Sequence, residues 1–479
     1  MKFVSSLWNN FRNKSKLRRP VKRMYKAAKE NDGWLPVNDI DVNFVIAASS
    51  PKVRARVRQL VRDFPYFKRA LKKIADFRIG KGITYNPLVF NSDGLNVPLN
   101  NELKNHFDSW CERCDNTGRM HFYELQKLMV FQELEAGEYF LVKQYDKNRK
   151  PYPFFLSPIE ADQLSNYKSR PINDNTVNYG IEQNKYGQIV AYHFHDGFSP
   201  KSMRVSSDYV INGLEVMRPG QLRGISPFVS SVLAANSLGE YIGAELDAAK
   251  KAAKILAIVE SHDIPGHQQA RRYVGEKENV NNARIEDIEN AIVEYLRPNE
   301  KMNFVDSKRP TNSFSPFVKF MLQMLSIGTE CPYELLSGDY EGLSFSSLRG
   351  IRMDYQLSID CEVGRLINQA LDPIQKWVFD CLYLSGHTKI NYAGSNHTWR
   401  TNKQWPIQRL QDSKAAAQEM KMTAMSPQMF CADRNNDWYQ VIEEISIAKK
   451  IAESKGLSLD ELYGVISTAD AGNDAYLTG

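Results

Sequence analysis

Four residues have the types and spacing to hold a metal ion: His106, Cys111, Cys114 and His121, which read H-x4-C-x2-C-x6-H. Imidazoles and thiolates are tetrahedral zinc ligands, and C-x2-C is a common half-site. The surrounding ELKNHFDSWCERC has helical periodicity, however, which makes Cys111 and Cys114 small apolar residues of one face. The expectation is no metal, with this quartet as the fallback candidate. His193 and His195 lie two apart in VAYHFHD, on one side of a strand, and lack a third ligand. Asp339 and Glu341 in GDYEG sit between glycines, which suits a mobile loop better than an acid–base pair. The phosphate-cradling G-x-x-x-x-G-K-[ST] is missing, since GKG at 80–82 lacks the spacing. No Ser-His-Asp or Cys-His set can be assembled without inventing proximity. The expectation is a non-enzyme without cofactors.

The elements that would position such residues follow from composition and periodicity. A chain of 479 residues with 42% hydrophobic and 25% charged content has room for two or more domains around a large core. No run of about 18 apolar residues marks a membrane span. The basic start lacks an apolar segment of signal-peptide length, and six cysteines do not make a disulfide scaffold in so long a chain. The expectation is a soluble protein of a reducing, cytoplasmic compartment, with no membrane partner.

The net charge of +6 conceals an asymmetry. Residues 1–81 carry 21 Lys or Arg against 6 Asp or Glu, a surplus of +15, and the other 398 residues carry 41 against 50, or −9. A basic head on an acidic body favours a polyanion at one surface; the plainer alternative is a solvated helical arm. Residues 1–49 read as a basic arm and a helix-breaking linker. From Val53 to Ile79 apolar residues recur at helical spacing, with a break at Pro65. Helices are expected over about 100–114 and 121–136. Strands are expected in EYFLVKQYD, FFLSPI, VNYGIEQNKYGQIVAYHFHD and RVSSDYVIN, so the first half is α+β.

RPGQLRGISP, residues 218–227, leads into a long helical pattern. Arg218, Pro219, Gly220, Arg223 and Gly224 set a stiff turn, and Pro227 suits a first helical turn. Beyond it, Phe228, Val232, Ala235, Gly239, Ile242, Leu246, Ala249, Ala253 and Leu256 alternate in steps of four and three. That is a 3.5-residue seam of mostly small residues, suited to side-by-side helix packing. A helix over 227–258 would be about 48 Å long. An excursion of strand, helix (ARIEDIENAIVEYL) and strand over 259–312 precedes a return helix, 313–328. GDYEG follows, then a helical run from Leu348, and after Trp405 two helices, KAAAQEMKMTAM and WYQVIEEISIAKKIAESKG.

Laid out in this order, the chain resembles the portal proteins of lambda-type tailed bacteriophages. VRARVRQLVRDFPYFKRALKKIADFRIGKGI is similar to that family's Arg-rich helix ending in V-G-x-G-I, and WCERCDNTGRMHFYELQKLMVFQELEAGEYFLV to its W…C-D…G…F…L-Q…G-E segment. GIEQNKYGQIVAYHF and RPGQLRGISP follow in order, then PYELLSGDYEGLSFSSLR and the C-terminal LQDSKAAAQEMKMTAMSPQMFCADRNNDWYQVIEE. The resemblance spans roughly residues 50–457. Ser344 and Phe345 replace the family's Asn-Tyr, and Asn435-Asn436-Asp437 its Gly-Asp.

The resemblance implies a mainly helical α+β portal fold that forms rings. Its parts would be a wing (50–226), a first stem helix (227–258), a small α/β clip (259–312) and a second stem helix (313–328). A tunnel-loop region (329–347), a wing helix and return (348–404) and a C-terminal helical crown (405–479) would complete it. Ser337, Gly338, Asp339, Tyr340, Glu341, Gly342, Leu343 and Ser344 would project into an axial channel. Lys250, Lys251, Lys254 and Lys319 would be the stem lysines facing DNA. The implied assembly is a ring of twelve subunits at one capsid vertex, assembled in the host cytoplasm. Double-stranded DNA would pass through it, and terminase, major capsid or scaffold protein and head–tail connector proteins would dock on it. Two other classes compete: a zinc-dependent nucleic-acid-processing enzyme using the His/Cys quartet, and a monomeric DNA-binding adaptor using the basic head.

Overall fold

Asp41 begins the first helix of the computed structural model by accepting a hydrogen bond from the Asn43 amide at 3.1 Å. The model describes residues 40–92, 94–165, 170–172, 174–195, 202–254, 257–261, 279–280, 283–284, 300–304, 313–401, 409–434, 436 and 438–456. Helix α1 runs Val42–Asp63 and α2 Pro65–Ile79. Pro65 at the first helical position makes the break, with Phe64 extended between the two helices. The linker expected to reach residue 49 therefore ends at Asp41, because the Asp41 cap starts the helix early and α1 runs on through Pro51. The basic segment 1–39 lies outside the described residues.

Strand β1 (Thr84–Pro87) leads to α3 (Val97–Cys111) and α4 (Phe122–Ala136). Strands β2 (Glu138–Tyr145) and β3 (Phe154–Ile159) follow. Then come β4 (Arg170–Ile172), β5 (Asn175–Asn178), β6 (Ile181–Gln183), β7 (Ile189–His195) and β8 (Ser202–Ser206), paired antiparallel in sequence order. Strand β9 (Val210–Leu214) returns to pair with β2, Val210 opposite Val142 and Leu214 opposite Glu138. This places β2 between β9 and β3.

A 3-10 turn, Pro227–Ser231, opens α5 (Val232–Lys254). Strands β10 (Ala257–Ser261) and β11 (Glu300–Phe304) pair antiparallel, Ala257 opposite Phe304. The expected helix of this excursion lies outside the described residues, except that Ala283–Arg284 pairs with Asn279–Val280 as a two-residue ladder. Helices α6 (Phe314–Thr329), α7 (Tyr333–Ser337) and α8 (Phe345–Leu366) follow. A π-turn at Ile367–Leu371 joins α8 to α9 (Asp372–Leu384). Pro373 has no N–H to give and would crowd the carbonyl four residues back; the widened turn absorbs this. It also presents Gln369, whose amide bonds the Leu214 backbone both ways, at 3.1 and 3.0 Å. Strand β12 (His397–Arg400) then pairs with β1 across the chain. Helices α10 (Arg409–Lys421), α11 (Pro427–Asp433) and α12 (Trp438–Ser454) close the described residues. The short α11, capped by Ser426, stands where only two helices were expected.

One hydrophobic core joins α1–α4 to the start of α5 and to α6, α8 and α9 through Val57, Phe67, Leu125, Phe228, Leu322 and Ile359. A second packs the two larger sheets together through Phe140, Ile181, Phe194 and Leu222. The signature segments have local reasons. The Ile83 amide and carbonyl are both bonded by the buried Gln126 side chain, at 2.8 and 2.9 Å. Gly82, at φ +131°, leaves room for the Tyr123 ring where a Cβ would collide.

Buried Glu182 on β6 collects the polar groups of the five-stranded sheet. Arg204 donates to it at 2.8 and 3.1 Å, Asn175 at 2.7 Å, and His193 Nε2 lies 2.9 Å away. The Arg204 bonds foremost, with Asn175 and His193 adding, hold its carboxyl down to about 2 against the opposing effect of burial. A depressed carboxyl contributes stability above its ordinary 4.5 and loses it as pH falls towards 2. Glu182→Gln should cost roughly 1.5–3 kcal/mol at neutral pH and flatten that acid-side decline. Thermal unfolding of both proteins across this window checks it; equal slopes would contradict the assignment.

Candidate functional site: the helix pair, its loop and the wing junction

The helix expected over 227–258 is shorter at both ends. Ser226 accepts from the Phe228 amide at 3.2 Å and holds 227–231 as a 3-10 turn. At the far end Ala257 and Ile258 are already in β10. The α-helical part, 23 residues, is about 35 Å long. Its seam is buried only at first. Phe228, Val232 and Ala235 are buried, and Gly239 lies against the Phe64 ring. Four residues beyond half-buried Ile242, Leu246 is 54% exposed and Glu245 is buried in its place. A straight α-helix drifts about 20° per heptad from a 3.5-residue repeat, so the seam turns away from α1. Ala249 is half-buried, and exposed Lys250 pairs with Asp247 at 3.5 Å. The side chains of Lys251, Ala253 and Lys254 lie outside the described residues, as does Leu256.

The contact between α5 and α6 is aromatic, which the seam did not register. Tyr241 stacks on Phe314 (centroids 5.8 Å) and meets Phe317 edge-on at 4.8 Å. At the other end Gly328 lies against Ser231, where a Cβ would collide. The two helices are thus antiparallel. Helix α6 buries Leu322, Leu325 and Thr329, yet a second stripe of Phe320, Met324 and Ile327 is exposed, Ile327 at 79%. A helix that is apolar nearly all round belongs in an interior. Exposed apolar side chains recur at Phe345, Met353 and Leu357 on α8, and at Ile442, Ile445, Ile447 and Ile451 on α12.

Residues 337–344 form a tight connection. Ser337 ends α7, Gly338 (φ +79°) is its left-handed cap, and Ser344 caps α8 by accepting from the Ser347 amide at 3.1 Å. Asp339 Oδ2 lies 3.4 Å from Lys319 Nζ and accepts from the Tyr333 hydroxyl at 3.0 Å. Its Oδ1 accepts from the Glu341 amide at 3.0 Å. The Glu341 amide and then Tyr333 hold its carboxyl below the ordinary range, and Asp339 raises the Lys319 ammonium. Lys319 also sits over the Tyr333 ring, 5.7 Å from its centroid. Tyr340, Glu341 and Gly342 are exposed and Leu343 half-buried. Lys319, expected to face DNA, is engaged by the loop.

The RPGQLRGISP turn is built around a buried ion pair. Arg223 and Glu138 are both almost wholly enclosed, with Arg223 Nη2 at 2.6 Å and Nε at 2.8 Å from Glu138 Oε1. The same guanidinium donates to the Tyr179 and Ala161 carbonyls at 3.1 and 3.2 Å. Glu138 Oε2 accepts from the Gly224 amide at 3.0 Å. Gly224 and Gly137 meet backbone to backbone, where a Cβ on Gly224 would strike the Gly137 carbonyl. Ser226 Oγ donates to the Leu134 carbonyl at 2.6 Å, and Asn43 bonds Gly220 and Leu222 at 2.9 and 2.8 Å. Arg218, Pro219 and Gly220 are exposed.

The His/Cys quartet is dispersed into structural roles. His106 Nδ1 faces the Tyr152 hydroxyl at 3.3 Å, and His121 caps α4 by accepting from the Tyr123 amide at 3.2 Å. Cys111 and Cys114 are buried, and burial pushes both thiols well above their ordinary value. Among the described residues no group of three or more His, Cys, Asp or Glu could hold a metal ion. The basic head is likewise divided. Arg54 and Arg58 pair with Asp162 at 2.9 and 3.0 Å, Arg78 with Glu362 at 3.0 Å, and Arg69 donates to the Leu335 carbonyl at 2.7 Å. Lys52, Arg56, Arg62, Lys68, Lys72 and Lys81 remain on the surface.

Residues 28–361 match the family model described as phage portal protein, lambda family. A probable portal protein of Halomonas phage phiHAP-1 is 27% identical over 390 residues, covering 77% of this chain and 74% of that protein. Among solved structures, a chain from the virion of a native gene transfer agent particle aligns at TM-score 0.48 and 14% identity, covering 79% of this chain and 91% of its own. A chain from the neck of the empty particle, computed with C6 symmetry, aligns at 0.49 and 15%, covering 78% and 90%.

Removing one partner of a buried ion pair strands the other charge. Arg223→Met should therefore destabilise the protein by about 3–5 kcal/mol. With Glu138→Gln added, the double variant should recover part of that loss. A thermal-unfolding cycle measures both, and simple additivity would contradict the coupling.

Proposed function

The chain belongs to the lambda family of phage portal proteins, and we propose that it acts as a closed ring at one capsid vertex. The ring is the channel through which double-stranded DNA enters during packaging and leaves at ejection. In this reading the α+β half with its two larger sheets is the wing, and α5 and α6 are the stem pair. The β10–β11 excursion is the clip, where terminase and then head–tail connector proteins dock. The loop 338–344 faces the channel, and α10–α12 form a crown towards the capsid interior. The exposed lysines and arginines of α1 and α2 look outward to capsid or scaffold protein, or to packaged DNA. Twelve copies is the expected number in the virion, with assembly in the host cytoplasm.

The observation that carries the assembly is the second apolar stripe of α6, Phe320, Met324 and Ile327. The subunit folds around the other face of this helix, so the stripe calls for a neighbour. Contact between two different faces of successive copies is heterologous, and such contacts close into rings when the rotation per copy allows. The charge distribution supports passage. Residues 82–479 are net acidic, whereas a wall that neutralised many phosphates would retain DNA. Because Lys319 is paired with Asp339 and Lys250 with Asp247, these lysines present less free cationic charge than their number indicates.

Phe320→Asp and Ile327→Asp should leave the subunit folded, with thermal unfolding close to that of the parent, and abolish rings. Mass photometry should show multiples of 54.9 kDa for the parent and single chains for the variants. A parent that runs only as a single chain would favour the monomeric adaptor instead.

A further inference from the structure

Lys319 lies on α6, and its ammonium is held by a loop residue twenty positions on. Among the described residues, the polar contacts that tie 339–343 to other elements all pass through Asp339: to Lys319, to Tyr333, and from its amide to Ser337 Oγ at 3.0 Å. Gly338 precedes the stretch and Gly342 lies within it, at φ +79° and +76°. The loop is therefore seated by one carboxylate on one cation and one hydroxyl. A DNA phosphate carries the same charge as that carboxylate and offers the same acceptors to an ammonium.

We propose that Lys319 has two mutually exclusive partners, the Asp339 carboxylate and a phosphate of the DNA in the channel, so that loop seating and DNA contact exchange for one another. This rests on the channel reading above. With the loop seated, Lys319 is neutralised and the wall at its level is slippery to DNA. When a phosphate takes the ammonium, Asp339 meets a like charge and leaves, and residues 338–344 swing on their glycines. Tyr333 is the positioning residue: its hydroxyl donates to Asp339 and its ring underlies Lys319, so it holds the closed arrangement together. By linkage, whatever favours the released loop must favour DNA contact by the same factor, and the reverse.

Two variants that break the same ion pair separate this from a merely structural bond. Both Lys319→Gln and Asp339→Asn should speed amide hydrogen exchange over 338–344 in assembled rings. Only Asp339→Asn should tighten binding of a short DNA duplex at low salt, with the slope of log K against log[salt] steeper by about 0.9 for each phosphate newly contacted. Lys319→Gln should weaken binding or leave it unchanged, and Lys319→Arg should restore the parental pattern. In the parent ring, duplex should accelerate loop exchange; in Asp339→Asn it should add nothing. Rings in which both variants shift DNA binding the same way, or in which duplex leaves the parental loop unchanged, would overturn the exchange while leaving the channel reading standing. A parent that forms no rings counts against the channel reading itself.

Discussion

The structure turns on the enclosed pair of Glu138 and Arg223. Two charges removed from water are tolerable only when their remaining hydrogen-bonding capacity is met. Here the guanidinium reaches two backbone carbonyls as well as the carboxylate, and the carboxylate takes a backbone amide. That satisfaction locks together the start of β2, the backbone at Ala161 and at Tyr179, and the turn that launches α5. The bare contact of Gly137 with Gly224 follows, since the turn must cross the strand at backbone distance for the pair to form. A buried ion pair adds little net stability over an apolar alternative, but it penalises any other path of the turn. It therefore fixes the direction in which the long helix leaves the sheets.

The same economy governs the basic head. Its surplus of +15 invites the reading of one polyanion-binding surface, yet Arg54, Arg58, Arg69 and Arg78 are turned inward. They tie α1 and α2 to Asp162 on the sheet side and to the long helix α8 through Glu362. The guanidinium is suited to this because its planar fork can serve several acceptors at once. Lysines stay outside, where a hydrated point charge costs least.

What the sequence discloses and what it conceals divide along the range of the interactions. Local chemistry was legible: the Pro65 break, the strands of the α+β half, the helix after RPGQLRGISP and the apolar character of Cys111 and Cys114. Ordered motifs gave the family. Long-range pairing was not. Arg223 could be placed in a turn, but its partner lies 85 residues earlier. Lys319 read as a free stem lysine because nothing local announces Asp339. The seam holds as a packed face from Phe228 to Ile242, and Leu246 departs from it because a 3.5-residue repeat drifts around a straight helix. Tyr241, off that seam, makes the aromatic contact to α6. The early start of α1 was hidden by the polar run before it, where one aspartate cap outweighs the helix-breaking residues.

The two-faced character of α6 has a kinetic side. In the ring proposed above, a folded subunit that had not yet found its neighbours would carry the exposed α6 stripe into a crowded solution, and the free pool would be open to misassembly for as long as it persisted. A heterologous contact also has no built-in stop. If the rotation from copy to copy is slightly wrong, the same surfaces propagate an open filament and no ring forms. In the proposed ring, the angle at which α5 and α6 leave the sheets would decide between these outcomes, and the Arg223 turn lies at the start of α5. In that ring, residues deep inside one subunit would act as the gauge for how many copies can close.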